Sequence, residues 1–298
     1  MGTERADHAP PPPPPVAPPG RLPMAWQPFT FGGIAAFSRA STGRALLVAG
    51  LAGLLLTVLI LRFFYTAWWP VISAAVDQLP AKGAVRDGWL IWPARSPVVL
   101  AENSFLAFVI NPVPTHRVGQ SADLQIVIGA TQLEASSLFG SASISHPKRY
   151  EVSLARQDLQ PLWYAWRPHL LAGASVGSGI VLFLVWIVLA LLATLPLRLF
   201  AKLFGRLATI PGCFRMGLMA LMPGGVLMAL GIVLYNQHDF KLAELMLVHA
   251  AHILMGLVYM VGVVLALPKP AALEPPTLQE LNETPQLPLD DDPPAPRR

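Results

Sequence analysis

Four long apolar runs decide what this chain can fold into. They cover about residues 45–65, 170–195, 214–235 and 242–267. About 20 residues rising 1.5 Å each cross a ~30 Å hydrocarbon core. Inside lipid a spanning segment must satisfy its own backbone polar groups, so each run is predicted to be a helix. Composition agrees, with 54% hydrophobic and only 13% charged residues, where soluble domains carry roughly 25% charge. The predicted fold class is an α-helical integral membrane protein with four transmembrane helices. A small β-rich or α+β extracytoplasmic domain stands between helices 1 and 2.

The chain divides accordingly. Residues 1–28 hold Pro10 to Pro15 and Pro18-Pro19; such a tract favours polyproline II and reads as a disordered cytoplasmic tail. Residues 29–67 form a lead-in and helix 1. Phe29, Phe31, Ile34 and Phe37 precede Arg39 and Arg44, which predicts an amphipathic lead-in at headgroup level with both arginines toward phosphates. Arg62 can snorkel, and Tyr65, Trp68 and Trp69 form an aromatic exit belt. No small-x-small site follows this span, so it reads as an uncleaved anchor.

Residues 68–169 form the extracytoplasmic domain. A short helix is expected at 71–78, ended by Leu79-Pro80. Short β-like runs follow at 88–92, 98–101, 105–110 and 124–128, bounded by turn formers such as Asp87-Gly88. Residues 131–139 are ambiguous, and 150–154 read as a last strand. The one cysteine, Cys213, lies outside this domain, so no disulfide supports it. Residues 170–267 carry helices 2 to 4, with Trp163, Tyr164 and Trp166 as a second belt and Pro196 as the end of helix 2. Pro223-Gly224-Gly225 interrupts helix 3. Residues 268–298 read as a second disordered cytoplasmic tail.

Lysine and arginine in short loops set orientation. Arg39 and Arg44 flank helix 1, Arg198, Lys202, Arg206 and Arg215 lie between helices 2 and 3, and the 236–241 hairpin has only Lys241. Both termini are therefore expected in the cytoplasm of a multi-pass membrane protein.

The candidate chemistry is sparse. His249 and His252 share one face of helix 4, Glu244 lies about 7.5 Å outward along the axis, and His238 and Asp239 occupy the adjoining hairpin. Ionisable groups within a membrane are functional candidates, here for an ion or a proton. Two histidines fall short of a full zinc set and lack the H-E-x-x-H arrangement, so no metal is assigned and no cofactor is expected. Met216, Met219 and Met222 form a soft-donor stripe, but it sits in the cytoplasmic half and the histidines in the outer half. Gly173-Ala174-Ser175-Val176-Gly177 matches the serine-hydrolase elbow, which needs a strand before a strained turn. On a spanning helix, Gly173 and Gly177 instead suit close packing against a small-residue face such as Ala45, Ala49 and Gly53. Asp87, His116, Ser121, Asp123 and His146 are scattered through the domain without a recognised spacing.

Ser41-Thr42-Gly43-Arg44, Leu79-Pro80, Asp87-Gly88-Trp89-Leu90 and Phe108-Val109-Ile110-Asn111-Pro112, in this order around one span and a lone outer domain, resemble an uncharacterised bacterial inner-membrane family. That family's pattern has an acid where Asn111 stands. The resemblance implies an architecture and an inner-membrane location without an activity.

The functional expectation is a non-enzymatic accessory or sensing protein whose outer domain contacts a ligand or partner. Its partners would be the lipid bilayer and a membrane protein or a second copy, with no nucleic acid. The alternative is a transporter or a metal- or proton-handling component built on His249 and His252. A membrane enzyme ranks third.

Overall fold

The computed structural model describes residues 25–113 and 118–269. The expectations for 1–24 and 270–298 and for His116 fall outside those residues. Four helical segments are long and apolar enough to cross a membrane. Helix α1 (Phe31–Ala36) is a single short segment. The first of these segments begins as α2 (Thr42–Phe63), where Ser41 Oγ accepts from the Arg44 N–H at 3.2 Å and fills the N-cap role. It continues through a π-helical turn (Phe64–Trp68) into α3 (Trp69–Asp77). The three together hold 36 residues, about 54 Å at 1.5 Å per residue, well over the length that a ~30 Å core needs.

The lead-in divides its apolar residues between two surroundings: Ile34 and Phe37 are fully buried in the helix bundle, while Phe29 and Phe31 are exposed. Arg215 fixes it: Nε donates to the Phe37 carbonyl at 3.0 Å and Nη2 to the Ser38 carbonyl at 2.6 Å. The Tyr259 hydroxyl donates to the Phe29 carbonyl at 3.0 Å. Arg44 lies 5.3 Å from the Trp26 ring, a cation–π pair.

The sheet domain follows α3. Strands β1 (Ala84–Arg86) and β2 (Trp89–Ile91) form a hairpin. Asp87 and Gly88 both have positive φ, 52° and 83°, as a two-residue type I′ loop requires. A five-stranded sheet comprises β3 (Val98–Glu102), β4 (Leu106–Asn111), β5 (Leu124–Gly129), β6 (Gln132–Ser137) and β7 (Gly140–Ser145) in that order. All its pairs are antiparallel except β4–β5. β8 (Val152–Ser153) pairs with β1, and an exposed Arg86–Glu151 ion pair at 2.7 Å holds the same edge and pushes the guanidinium pKa up. The ambiguous 131–139 segment is thus one arm of a hairpin whose second arm is β7. One face of the large sheet packs Ile110, Phe108 and Ile128 on Ala75, Leu79 and Trp92, under α3.

Helix α4 (Arg156–Leu203) runs 48 residues through Pro161, Pro168 and Pro196. Pro196 was expected to end it. Proline removes one N–H and crowds the preceding turn, but Leu197 and Ala201 just beyond are buried in the bundle, and that packing carries the helix on. At its start, Trp163 Nε1 donates to Ser73 Oγ at 3.1 Å, Gln160 Nε2 to Asp77 Oδ1 at 2.8 Å, and the Tyr164 hydroxyl to Asp77 Oδ2 at 3.1 Å. The expected aromatic belt residues therefore also clamp α4 to α3. The third segment is broken into α5 (Ile210–Ala220) and α6 (Met222–Asn236) at Leu221, whose N–H turns back to the Met219 carbonyl. Pro223 has no N–H to continue the ladder. Helix α7 (Leu242–Ala266) closes the bundle.

Candidate functional site at the junction of sheet and helices

Strand register places one edge of the sheet on the helix ends. Leu106 pairs with Leu124, Leu124 with Ser137 and Ser137 with Gly140, forming a single row. The residues just outside that row reach the helices. Phe105 is 3% exposed and enters an aromatic cluster with Phe63, Tyr235 and His238 at centroid distances of 5.4, 4.9 and 4.6 Å. Asn103 prepares this insertion. Its Oδ1 accepts from the N–H groups of Phe105 and Leu106, both at 2.9 Å, and its Nδ2 donates to the Ala67 carbonyl at 2.7 Å. Ala67 belongs to the π-helical turn, a feature frequent at functional positions. The Tyr235 hydroxyl, at the end of α6, donates to Asp123 Oδ2 at 2.7 Å.

Of the residues singled out from sequence, His238 belongs to this junction. It holds a positive φ of 65°, its ring stacks on Phe105, and Nδ1 lies 3.0 Å from Ser104 Oγ. Asp239 shares the hairpin, and its N–H donates to the Leu234 carbonyl at 3.0 Å. Glu244 serves as a helix cap: Oε2 accepts from the Lys241 N–H at 2.8 Å. That bond ties it to the first turn of α7, one to two turns before the histidines. Asp123, one of the scattered domain residues, meets Tyr235. His146 Nε2 contacts the Gly129 carbonyl at 2.8 Å, and Ser121 donates to Glu102 Oε2 at 2.7 Å.

His249 and His252 stack at 6.0 Å within α7. His252 is 4% exposed and lies about 15 Å from the start of α7, at mid-span. The helix break reaches it. A Cβ on Gly224 would stand 2.5 Å from the His252 carbonyl and 2.8 Å from Nδ1. Sequence reasoning set the Met216, Met219 and Met222 stripe and the histidines in different halves of the bilayer, and left the depth of the break open. The structure brings the break and His252 together, because Gly224 lies about 18 Å from the Asn236 end of α6. Trp186 of α4 completes the contact at 6.4 Å from the His252 ring. Trp186 Nε1 and His252 Nδ1 are both buried without a hydrogen-bond partner among the described residues. Those residues contain no cluster of three or more His, Cys, Asp or Glu placed to hold a metal.

The small-residue face of α2 is buried at Ala45, Ala49 and Gly53, with Phe183 and Trp186 each 3.9 Å from a Cβ on Gly53. On α4 the close approach falls at Gly179, which meets Thr57, and not at the expected pair. A Cβ on Gly173 or Gly177 would meet no atom of a neighbouring element within 4 Å among the described residues. Ser175 donates to the Leu171 carbonyl at 2.8 Å inside the helix, far from the geometry of a nucleophile elbow.

The opposite face of the sheet carries a cavity of about 580 Å³ lined by Asn111, Gln125, Thr131, Gln132, Glu134 and Ser136 among others. Gln125 is buried there and accepts from the Ser121 N–H at 2.9 Å. Its described lining contains one carboxylate and no basic side chain. Comparison with known protein families, with curated proteins and with solved structures finds no match.

Proposed function

We propose that this chain is a non-enzymatic sensing or accessory protein of a bacterial inner membrane. Both termini would be cytoplasmic, and its outer domain would bind a ligand or partner and report to the helices. The observation that carries this reading is the junction at Phe105 and Asp123. Strand β5 carries Gln125 and Val127 on the polar cavity, and the residue before it, Asp123, bonds Tyr235 at the end of α6. A ligand in that cavity would bias β5, and α6 would receive the bias through a buried aromatic cluster and a hydrogen bond. The described lining favours a neutral polar or cationic small molecule.

The test is affinity purification of the full chain from its native membranes, beside Phe105→Ala. A membrane protein or small molecule retained by the parent and lost from the variant supports the reading. Equal recovery by both, or recovery of neither, defeats it.

A second reading rests on the unpartnered Trp186 Nε1 and His252 Nδ1 beside the broken helix. Broken spans line substrate sites in transporters, and here the site would pass an ion or proton. Unchanged metal content and solute uptake in His249→Ala/His252→Ala would remove it.

A further inference from the structure

We propose that the turn between β6 and β7, Leu138-Phe139, is a foot that enters the outer leaflet of the bilayer. The inference rests on the membrane-spanning reading and adds a lipid-binding surface on the sheet domain itself. Leu138 is 60% exposed and Phe139 73% exposed, at the tip of a hairpin with no acidic residue, lysine or arginine between Glu134 and Lys148. A bare apolar tip is a liability in water. Register explains its place. Ser137 and Gly140 lie in the row with Leu106 and Leu124, whose neighbours Phe105 and Asp123 touch the helix ends. The tip extends beyond that row in the same direction as Phe105. A cleft of about 560 Å³ is bounded by Leu138 together with Lys241, Leu242 and Ala243. Leu242 opens the apolar run of α7, so the tip stands level with the start of that run. Side chains at this level enter the headgroup–acyl boundary, where apolar residues sink about 5–10 Å. The adjoining cleft, with Lys241, Ser104 and Gln120, offers a headgroup both charge and hydrogen bonds.

The hairpin supplies its own depth scale. Ile144 is 72% exposed and pairs with Leu133, far up the ribbon, about 17 Å from Phe139 at 3.4 Å per residue. The full chain with Cys213→Ala is given single cysteines at Phe139, Ile144 or Leu254, spin-labelled, and reconstituted in nanodiscs of zwitterionic and anionic lipid. Cys213 is buried, so the parent background serves equally if the alanine variant fails to fold. Oxygen reports lipid, and a water-soluble nickel chelate reports water. The expected result is lipid contact at 139, water contact at 144, and lipid contact at 254 on the exposed face of α7. Water contact at 139 with lipid at 254 overturns the foot alone. Water contact at 254 as well overturns the spanning reading. Protection of 139 from both reagents also overturns the foot, since a second copy pairing along β7 would then cover it.

Discussion

Phe105→Ala separates a docked sheet domain from one merely tethered to the helices. Phe105 is fully enclosed and touches three rings, at 5.4, 4.9 and 4.6 Å. Truncating a buried phenylalanine costs about 3–5 kcal/mol through lost burial and the cavity left behind. Tyr235→Phe keeps the ring and removes only the hydroxyl that donates to Asp123, a charge-assisted bond of about 1.5–3 kcal/mol. The order of the two effects is therefore fixed by the structure. If the junction opens locally before the rest unfolds, the open population rises about 10²- to 5 × 10³-fold in Phe105→Ala, and about 10- to 10²-fold in Tyr235→Phe. Pulse proteolysis of the full chain in detergent reads that population, with cleavage near Pro80 and Ala155, where the domain joins the helices. Leu247→Ala, at an exposed position on α7, should leave it unchanged. A Phe105→Ala effect below that of Tyr235→Phe would refute the reasoning, because the buried ring would then not be the main contact.

Other outcomes follow from contacts as specific. Gly224→Ala should destabilise the fold by about 1–3 kcal/mol, since its Cβ meets the His252 backbone. Gly177→Ala, with no atom within 4 Å, should leave the thermal midpoint of unfolding unmoved. Gly179→Ala should weaken the α2–α4 crossing and be rescued by Thr57→Ala, a non-additive pair in thermal unfolding. Arg215→Lys should lose most of the two bonds to the Phe37 and Ser38 carbonyls, because the ammonium lacks the guanidinium fork. Faster hydrogen exchange in α1 would register that loss.

The four long helices were legible because lipid-scale apolar runs leave few alternatives. What the sequence obscured were effects of tertiary packing. Pro196 carries a helix-ending signal, yet burial of Leu197 and Ala201 outweighs it. Ile34 and Phe37 follow the spacing of a surface helix, and nothing local says that Arg215, distant in sequence, will hold their carbonyls. Strand β7 was invisible: Gly-Ser-Ala-Ser-Ile-Ser has weak β-propensity, and every residue is exposed. Its pairing with β6 makes it a strand. In the junction, His238 drew attention as a titratable group beside an apolar run, whereas Phe105 only opened a β-like run and Tyr235 only ended the third apolar run. The signal available for Asn103-Ser104 was a turn-forming pair just before a strand, and it pointed to local structure only. Gly173 and Gly177 satisfy the small-xxx-small pattern without a partner helix among the described residues, and the pattern alone cannot say which small residue faces which helix.

These placements share a line through the molecule. Cavity residue Gln125 sits on β5, Asp123 precedes that strand, Tyr235 ends α6, and Gly224 near the other end of α6 meets His252. Helix α6 is short, and at Leu221 the N–H turns back to the Met219 carbonyl while Pro223 has no N–H to offer the ladder shared with α5. Under the proposed coupling, a displacement of Tyr235 would be taken up at Leu221, where proline weakens the ladder, rather than by bending the helix elsewhere. Gly224 and Gly225 permit a close approach to His252 and to Trp186, whose indole lies 3.3 Å from a Cβ on Gly225. The two buried unpartnered nitrogens sit where that motion would be felt. A leucine at Gly225 would wedge α6 from Trp186. Under the proposed coupling, Gly225→Leu should change hydrogen exchange at Asp123 and Leu124 although neither residue touches the substitution. Unchanged exchange there, with α6 itself perturbed, would show that the helix and the sheet move independently.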